Sequence, residues 1–272
     1  MESPGFWKQI GIGLGSFERA MEYIFQKGFW KYFLISLLVS ALVYFGGYHL
    51  IDFVSEWIFK WVTAWFGFDS DGWFGSLVNG TLSFLFGFAL KILLWYLFFI
   101  IHKYIVLMLV SPLLAYISEK VDEEITGNKY TFNAEQLMRD VYRGILISLR
   151  NLFIELGFML LFFFVSFIPL IGWMISLVGL FFASAYFYGF AMMDYTNERR
   201  RLKISESVAF IRKHKGIAMG NGMVFSFFFL IPWLGPLLAP IFAPVISVIA
   251  ATCAIDRVVD LKKAYGKAGV EG

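Results

Sequence analysis

A chain of 272 residues that is 59% apolar, 20% aromatic and only 16% charged is too oily to fold as a soluble domain of that size. The apolar residues form long continuous runs and not short alternating segments, which excludes a β-barrel and leaves helices to satisfy the backbone amides in lipid. The net charge is only +3, so its information lies in where the cations fall, and the lone Cys253 excludes an intrachain disulfide framework.

Residues 1–27 alternate apolar and polar positions, carry acidic residues, and lack the compact hydrophobic core of a signal peptide. They read as an amphipathic helix on the membrane surface, with Phe6, Trp7, Ile10, Leu14, Phe17 and Met21 on its oily side. "GIGLGS" (11–16) lacks the last glycine of a dinucleotide fingerprint and follows no strand, so it reads as flexible surface helix.

Residues 28–126 hold two long transmembrane helices. The first is uncharged over 32–51 and ends on Trp57, Trp61 and Trp65, spaced as an aromatic belt on one helical face. An acidic, glycine-rich turn, "GFDSDGWFG", leads into the second, apolar from Trp73 to about Ile101. Lys91 within it is placed to snorkel to an interface. The helix is expected to continue past a helix-breaking pair, Ser111-Pro112, into water.

A basic amphipathic stretch then opens a first helical hairpin, 132–193, whose uncharged run 156–193 is interrupted by "FIPLIGW" with Pro169 and Gly172. A basic cytoplasmic connector, 194–215, precedes a second hairpin, 216–255, interrupted by "LIPWLGP" with Pro232 and Gly235. A charged tail, 256–272, closes the chain. Lysine and arginine crowd the N-terminal segment (Lys8, Arg19, Lys27, Lys31) and the connector ("ERRR", "RKHK"), whereas Lys60 is the cation near the loop between the first two helices. That bias places both termini and both connectors in the cytoplasm, so each interrupted run enters and leaves on one side. Arms of about 19 or 20 residues would only just span the bilayer, and the tips are apolar. Partly penetrating hairpins are therefore expected, with two full crossings as the competing arrangement. Asp194 and Asp256 each end an uncharged arm at matching distances from the two prolines, as in an internal repeat.

In this order, "SPLLAYISEKVDEEITG", "RDVYRGILISLRN", "FIPLIGW", "AMMDY", "KISESVAFIRKHK" and "LIPWLGP…CAIDR" resemble the CysZ-type sulfate permease family, which shares its domain with etoposide-induced membrane proteins. The resemblance implies an all-α integral membrane protein with two long transmembrane helices and two partly penetrating hairpins. It implies assembly as homo-oligomers and sulfate uptake across a bacterial inner membrane for cysteine synthesis. It also implies an anion-binding motif, Gly-Leu-Arg-Arg or close to it, at the head of the first transmembrane helix. The matching residues are Gly28, Phe29, Trp30 and Lys31, with Trp30 where an arginine is expected. A non-transporting scaffold or assembly protein on the same fold stays open as the alternative.

Among the charged positions, Glu119 and Arg143 match those that recur in the family and are expected to form an internal ion pair at the cytoplasmic mouth. Glu155 lies near the start of an apolar arm, where a carboxylate is costly, and Arg150 or Arg212 is its expected partner. Moving a dianion inward costs about 4.6 kcal/mol per 100 mV of inside-negative potential, so Glu155 and Glu119 are also candidates to couple proton entry. His49, His102 and His214 show no ligand spacing, which argues against a metal, and no catalytic constellation or cofactor motif is present. The basic runs sit at loop ends and suit anionic lipid headgroups better than nucleic acid. The partners expected are sulfate or a related oxyanion, the bilayer, and further copies of the chain.

Overall fold

A computed structural model describes residues 4–66, 73–127, 134–231 and 234–261. The acidic turn between the first two long helices, most of the tail, and Pro232 with Trp233 at the second tip lie outside the described residues. In chain order the helices are α1 (Phe6–Gln26), a 3₁₀ turn (Phe29–Lys31), α2 (Tyr32–Phe66), α3 (Trp73–Thr126), α4 (Ala134–Ser166), α5 (Gly172–Arg199), α6 (Ile204–Lys213), α7 (Lys215–Phe229) and α8 (Gly235–Val259). Among the described residues, five helical segments, within 29–62, 80–126, 142–166, 172–199 and 237–259, are long and apolar enough to cross a membrane. The chain forms two compact units, one of residues 40–105 and one of 1–39 with 106–272.

In the smaller unit α2 and α3 meet through large rings. Tyr44 packs edge-on against Phe98, Phe59 stacks on Phe86, and the Phe98 ring lies against Gly47, where a Cβ would collide with it. Lys91 Nζ lies 3.0 Å from Asp52 Oδ1, so this lysine is held by a carboxylate of the neighbouring helix and does not reach out alone. The belt tryptophans Trp57, Trp61 and Trp65 are exposed, and Trp61 stacks on Trp65. Exposed rings in such number belong in lipid, not in water. The α3 helix runs unbroken through Pro112, so Ser111-Pro112 does not break it.

In the larger unit α7 is the hub. Its glycines let neighbouring backbones approach closely, the small-xxx-small arrangement that gives membrane helices their van der Waals contact. A Cβ on Gly222 would sit 1.7 Å from Ala185 O, and one on Gly189 would sit 1.8 Å from Ala218 O. The α5–α7 crossing is thus built reciprocally from Ala185, Gly189, Ala218 and Gly222. On its other side, Gly216 and Gly220 of α7 admit the backbone of α1 at Phe6 and Ile10, and Gly13 admits α7 at Ile217.

This packing revises the expected face of α1. Gln9, Ile10, Gly13, Ser16, Ala20 and Ile24 are buried, while Trp7, Leu14, Met21 and Phe25 stay exposed. Half of the buried positions are small, and Gly13 among them is where α1 admits the backbone of α7. Ile10 moves from the expected oily side to the buried one, and the glycines of "GIGLGS" serve in part as a packing surface.

The first hairpin pairs α4 with α5. Asn151 Nδ2 donates to Phe187 O across it at 3.2 Å, and Ser176 Oγ donates to Phe162 O. At its tip the left-handed residue is Leu170, with φ of 69° and almost fully exposed, whereas the sequence pattern assigns the reversal to glycine. Gly172 begins α5 instead, and it is needed for room, since a Cβ there would lie 2.3 Å from Val165 O. The second hairpin pairs α7 with α8, and Asn221 Nδ2 donates to Ser247 O across it at 3.0 Å. Gly235 starts α8, its N–H bonded to Ile231 O. The two arms here are unequal. At 15 residues, α7 is about 22 Å long, short of a hydrocarbon core of about 30 Å.

Candidate functional site

Where α3, α4, α5, α6 and α8 converge in the larger unit, the polar side chains gather. Arg143 of α4 grips Asp194 of α5 with a fork: Nε donates to Oδ2 at 2.9 Å and Nη2 to Oδ1 at 2.8 Å. Its remaining Nη1 donates to Leu202 O at 2.6 Å. Ser207 Oγ of α6 also donates to Asp194, and Asn197 Nδ2 donates to Ser207 Oγ. Arg143 and Asp194 are both well buried, which is tolerable because planar bidentate pairing and the extra donors replace the water each charge gives up.

One helical turn further along α5, Arg199 Nη1 donates to Glu119 Oε1 at 2.6 Å and Nη2 to Ala115 O at 2.9 Å, joining α5 to α3. Below these pairs runs a chain of hydroxyls: Thr252 of α8 lies 3.0 Å from Thr196 and 3.4 Å from Ser118. The expected Glu119–Arg143 pair is therefore replaced by two pairs, Glu119 with Arg199 and Asp194 with Arg143. Spacing along a helix places charges on faces, but only the crossing of α3 and α5 decides which opposite charge comes within reach.

Glu155 is buried on α4 and accepts a hydrogen bond from Ser184 Oγ of α5. The arginines expected beside it are engaged differently. Arg150 donates to Asn151 Oδ1 and lies over the Phe190 ring, and Arg212 is exposed on α6. Asp256, the repeat counterpart of Asp194, lies 3.7 Å from Arg19 of α1 and accepts from the Leu261 N–H. Both repeat aspartates thus face an arginine from another helix, one buried and bidentate, the other looser.

At the head of α2, Gly28 takes a left-handed conformation, φ 73°, and turns the chain from α1 into the 3₁₀ turn. Phe29 anchors that turn in the protein, edge-on to Tyr23 and Tyr32. Trp30 and Lys31 point outward, with Lys31 Nζ 5.2 Å from the Tyr32 ring centre. Lys27 is bound to Glu124 at 2.8 Å, which raises its pKa, and Tyr23 is pushed up to about 12 by burial. The first N–H groups of a helical segment have no intrahelical acceptor. A helical start of this kind that also carries an exposed ammonium, Lys31, is a combination suited to an oxyanion.

Sequence reasoning found the charged positions but missed Ser184, Ser207, Asn197 and Arg199 as partners. The signal available for Arg199 was its place in "ERRR", where adjacent arginines on a helix point in different directions.

The fold and these sites define an all-α, multi-pass membrane protein with a buried polar centre. Residues 16–240 match the family described as Sulfate transporter CysZ/Etoposide-induced protein 2.4, and the chain belongs to that family. It is similar to proteins named Sulfate transporter CysZ from three strains of Vibrio cholerae serotype O1. Each is 23% identical over 222 residues, covering 81% of this chain and 85% of the relative.

Proposed function

We propose that this protein is an inner-membrane permease of a bacterium that takes up sulfate or a related oxyanion for cysteine biosynthesis. Membership of the family and the name carried by the Vibrio relatives support the substrate class. The observation that carries the reading is the head of α2, where the left-handed Gly28 sets an exposed lysine, Lys31, beside a helical N-terminus. A dianion gains there from both the amide dipoles and the cation. In this reading the termini are cytoplasmic, the protein assembles as a homo-oligomer, and the hairpins penetrate the membrane only partly, for which the shortness of α7 is the support.

The decisive measurement is equilibrium binding of radiolabelled sulfate to the purified full chain. Saturable binding is expected, weakened about tenfold or more by Lys31→Ala, the loss of one charge-assisted contact of about 1.5–3 kcal/mol. One observation favours a second reading. Trp30 stands exposed where the family motif carries an arginine, so a non-transporting scaffold is the reading to adopt if neither protein binds sulfate saturably and proteoliposomes show no flux.

A further inference from the structure

Arg143 does more than hold Asp194. By donating to Leu202 O it clamps the connector between α5 and α6, and the connector is shaped accordingly. Arg201 takes a left-handed conformation, φ 55°, with its N–H on Glu198 O, and Leu202 N bonds back to Asn197 O. A β-carbon residue held there is uncommon and must be stabilised by its surroundings. The result is an open cavity of about 620 Å³ between the start of α4 and this connector. Four cations line it: Arg139, Arg143, Arg201 and Lys203. Arg143 is committed to Asp194, and Arg139 makes an exposed pair with Glu135. Arg201 and Lys203 are exposed, and the Lys203 backbone N–H donates to Glu206 Oε2 at 2.8 Å. The one carboxylate in the lining is Glu198, which lies 3.9 Å from Arg143 Nε.

The depth and rim of this cavity indicate its occupant. The apolar spans of α4 and α5 run over 142–166 and 172–199, so the cavity lies at the end of both, where hydrocarbon gives way to headgroups. Beside its cations are exposed apolar side chains, Tyr142, Leu146 and Ile204. A free oxyanion uses no apolar rim and is far smaller than the cavity. A phospholipid uses both parts, placing its phosphate among the cations and its acyl chains along the rim. We infer that this cavity is a specific site for one anionic phospholipid, seated by Arg201 and Lys203 and shaped by the Arg143 clamp.

The test is native mass spectrometry of the delipidated full chain titrated with phosphatidylglycerol or phosphatidylcholine. Phosphatidylglycerol is expected to bind preferentially, and Arg201→Gly with Lys203→Ala should weaken it roughly twenty-five-fold, about fivefold for each cation. Glycine suits the left-handed backbone at 201, so the double variant should keep its melting temperature; should it unfold, Lys203→Ala alone, at an exposed position, is expected to cost about fivefold. Equal binding of the two lipids overturns the inference, as does undiminished phosphatidylglycerol binding in the variant that stays folded. Displacement of the lipid by millimolar sulfate would also overturn it, marking a free-anion site. Lys31→Ala should leave lipid binding intact, which separates this outcome from that of the sulfate reading.

Discussion

The two hairpins carry the same Ile-Pro-x-x-Gly interruption and the same closing aspartate, yet the protein uses them oppositely. The first is long-armed, and only about a third of the most apolar stretch of α4 or α5 is buried. The second is the core, with 83% of the corresponding stretch of α8 buried and α7 held between α1 and α5 by glycine contacts. Each is stitched across by one buried asparagine to a backbone carbonyl, so the repeat survives in its hydrogen bonding where it fails in its packing. Which arms are enclosed depends on what else in the chain can approach them.

The largest effect should come from filling a backbone contact of the second hairpin. Gly222→Leu drives side-chain atoms into the Ala185 carbonyl, and a loss above about 4 kcal/mol is expected, read as disappearance of the monodisperse species in size-exclusion chromatography. The contrasting change in the first hairpin is Gly157→Ala. A Cβ there meets nothing within 4 Å, so the variant should purify normally and gain up to about 1 kcal/mol in stability. A collapse of both variants would mean that the hairpins are equally enclosed.

Next in size is the pair of repeat aspartates. Asp194→Ala leaves Arg143 buried without its carboxylate and should cost about 3–5 kcal/mol. Asp256→Ala removes a partly exposed contact to Arg19 at 3.7 Å and should cost less than about 1 kcal/mol. Thermal midpoints in one detergent decide this; equal shifts would show that the two aspartates do the same work.

The smallest effect is a pH dependence at the entry to the second hairpin. His214, at the junction of α6 and α7, is buried against Phe210 with Nδ1 donating to Phe210 O. Burial lowers its pKa below 6.5, and the nearby Lys213 and Arg200 act in the same direction. A histidine kept neutral in the fold contributes stability that is complete above its unfolded pKa of 6.5 and is lost as pH falls through the lower native value. No histidine lies in the first hairpin. Acidifying from pH 7.5 should therefore lower the melting temperature in a way that His214→Asn reduces; an unchanged slope in the variant would place the effect elsewhere.

Much of the fold was legible in one dimension. The apolar runs and the breaks at Pro169 and near Gly235 follow from the length of uncharged chain and from residues that end helices. The site was legible only as an inventory. Glu119, Arg143, Glu155 and Asp194 stood out because charge in an apolar chain is costly, but their partners did not.

What the sequence determined by itself is therefore the class, the helices and the positions that must be satisfied. What the tertiary structure decided is who satisfies whom: Arg199 for Glu119, Arg143 for Asp194, Ser184 for Glu155. It also decided which face of α1 is enclosed, burying Gln9, Ile10, Gly13, Ser16, Ala20 and Ile24 and leaving Trp7, Leu14, Met21 and Phe25 exposed. Local sequence sets the cost of exposing each backbone and charged group, whereas the partner that removes the cost is chosen by helix crossings, and here those crossings are set by glycines whose role is visible only when a second backbone lies against them.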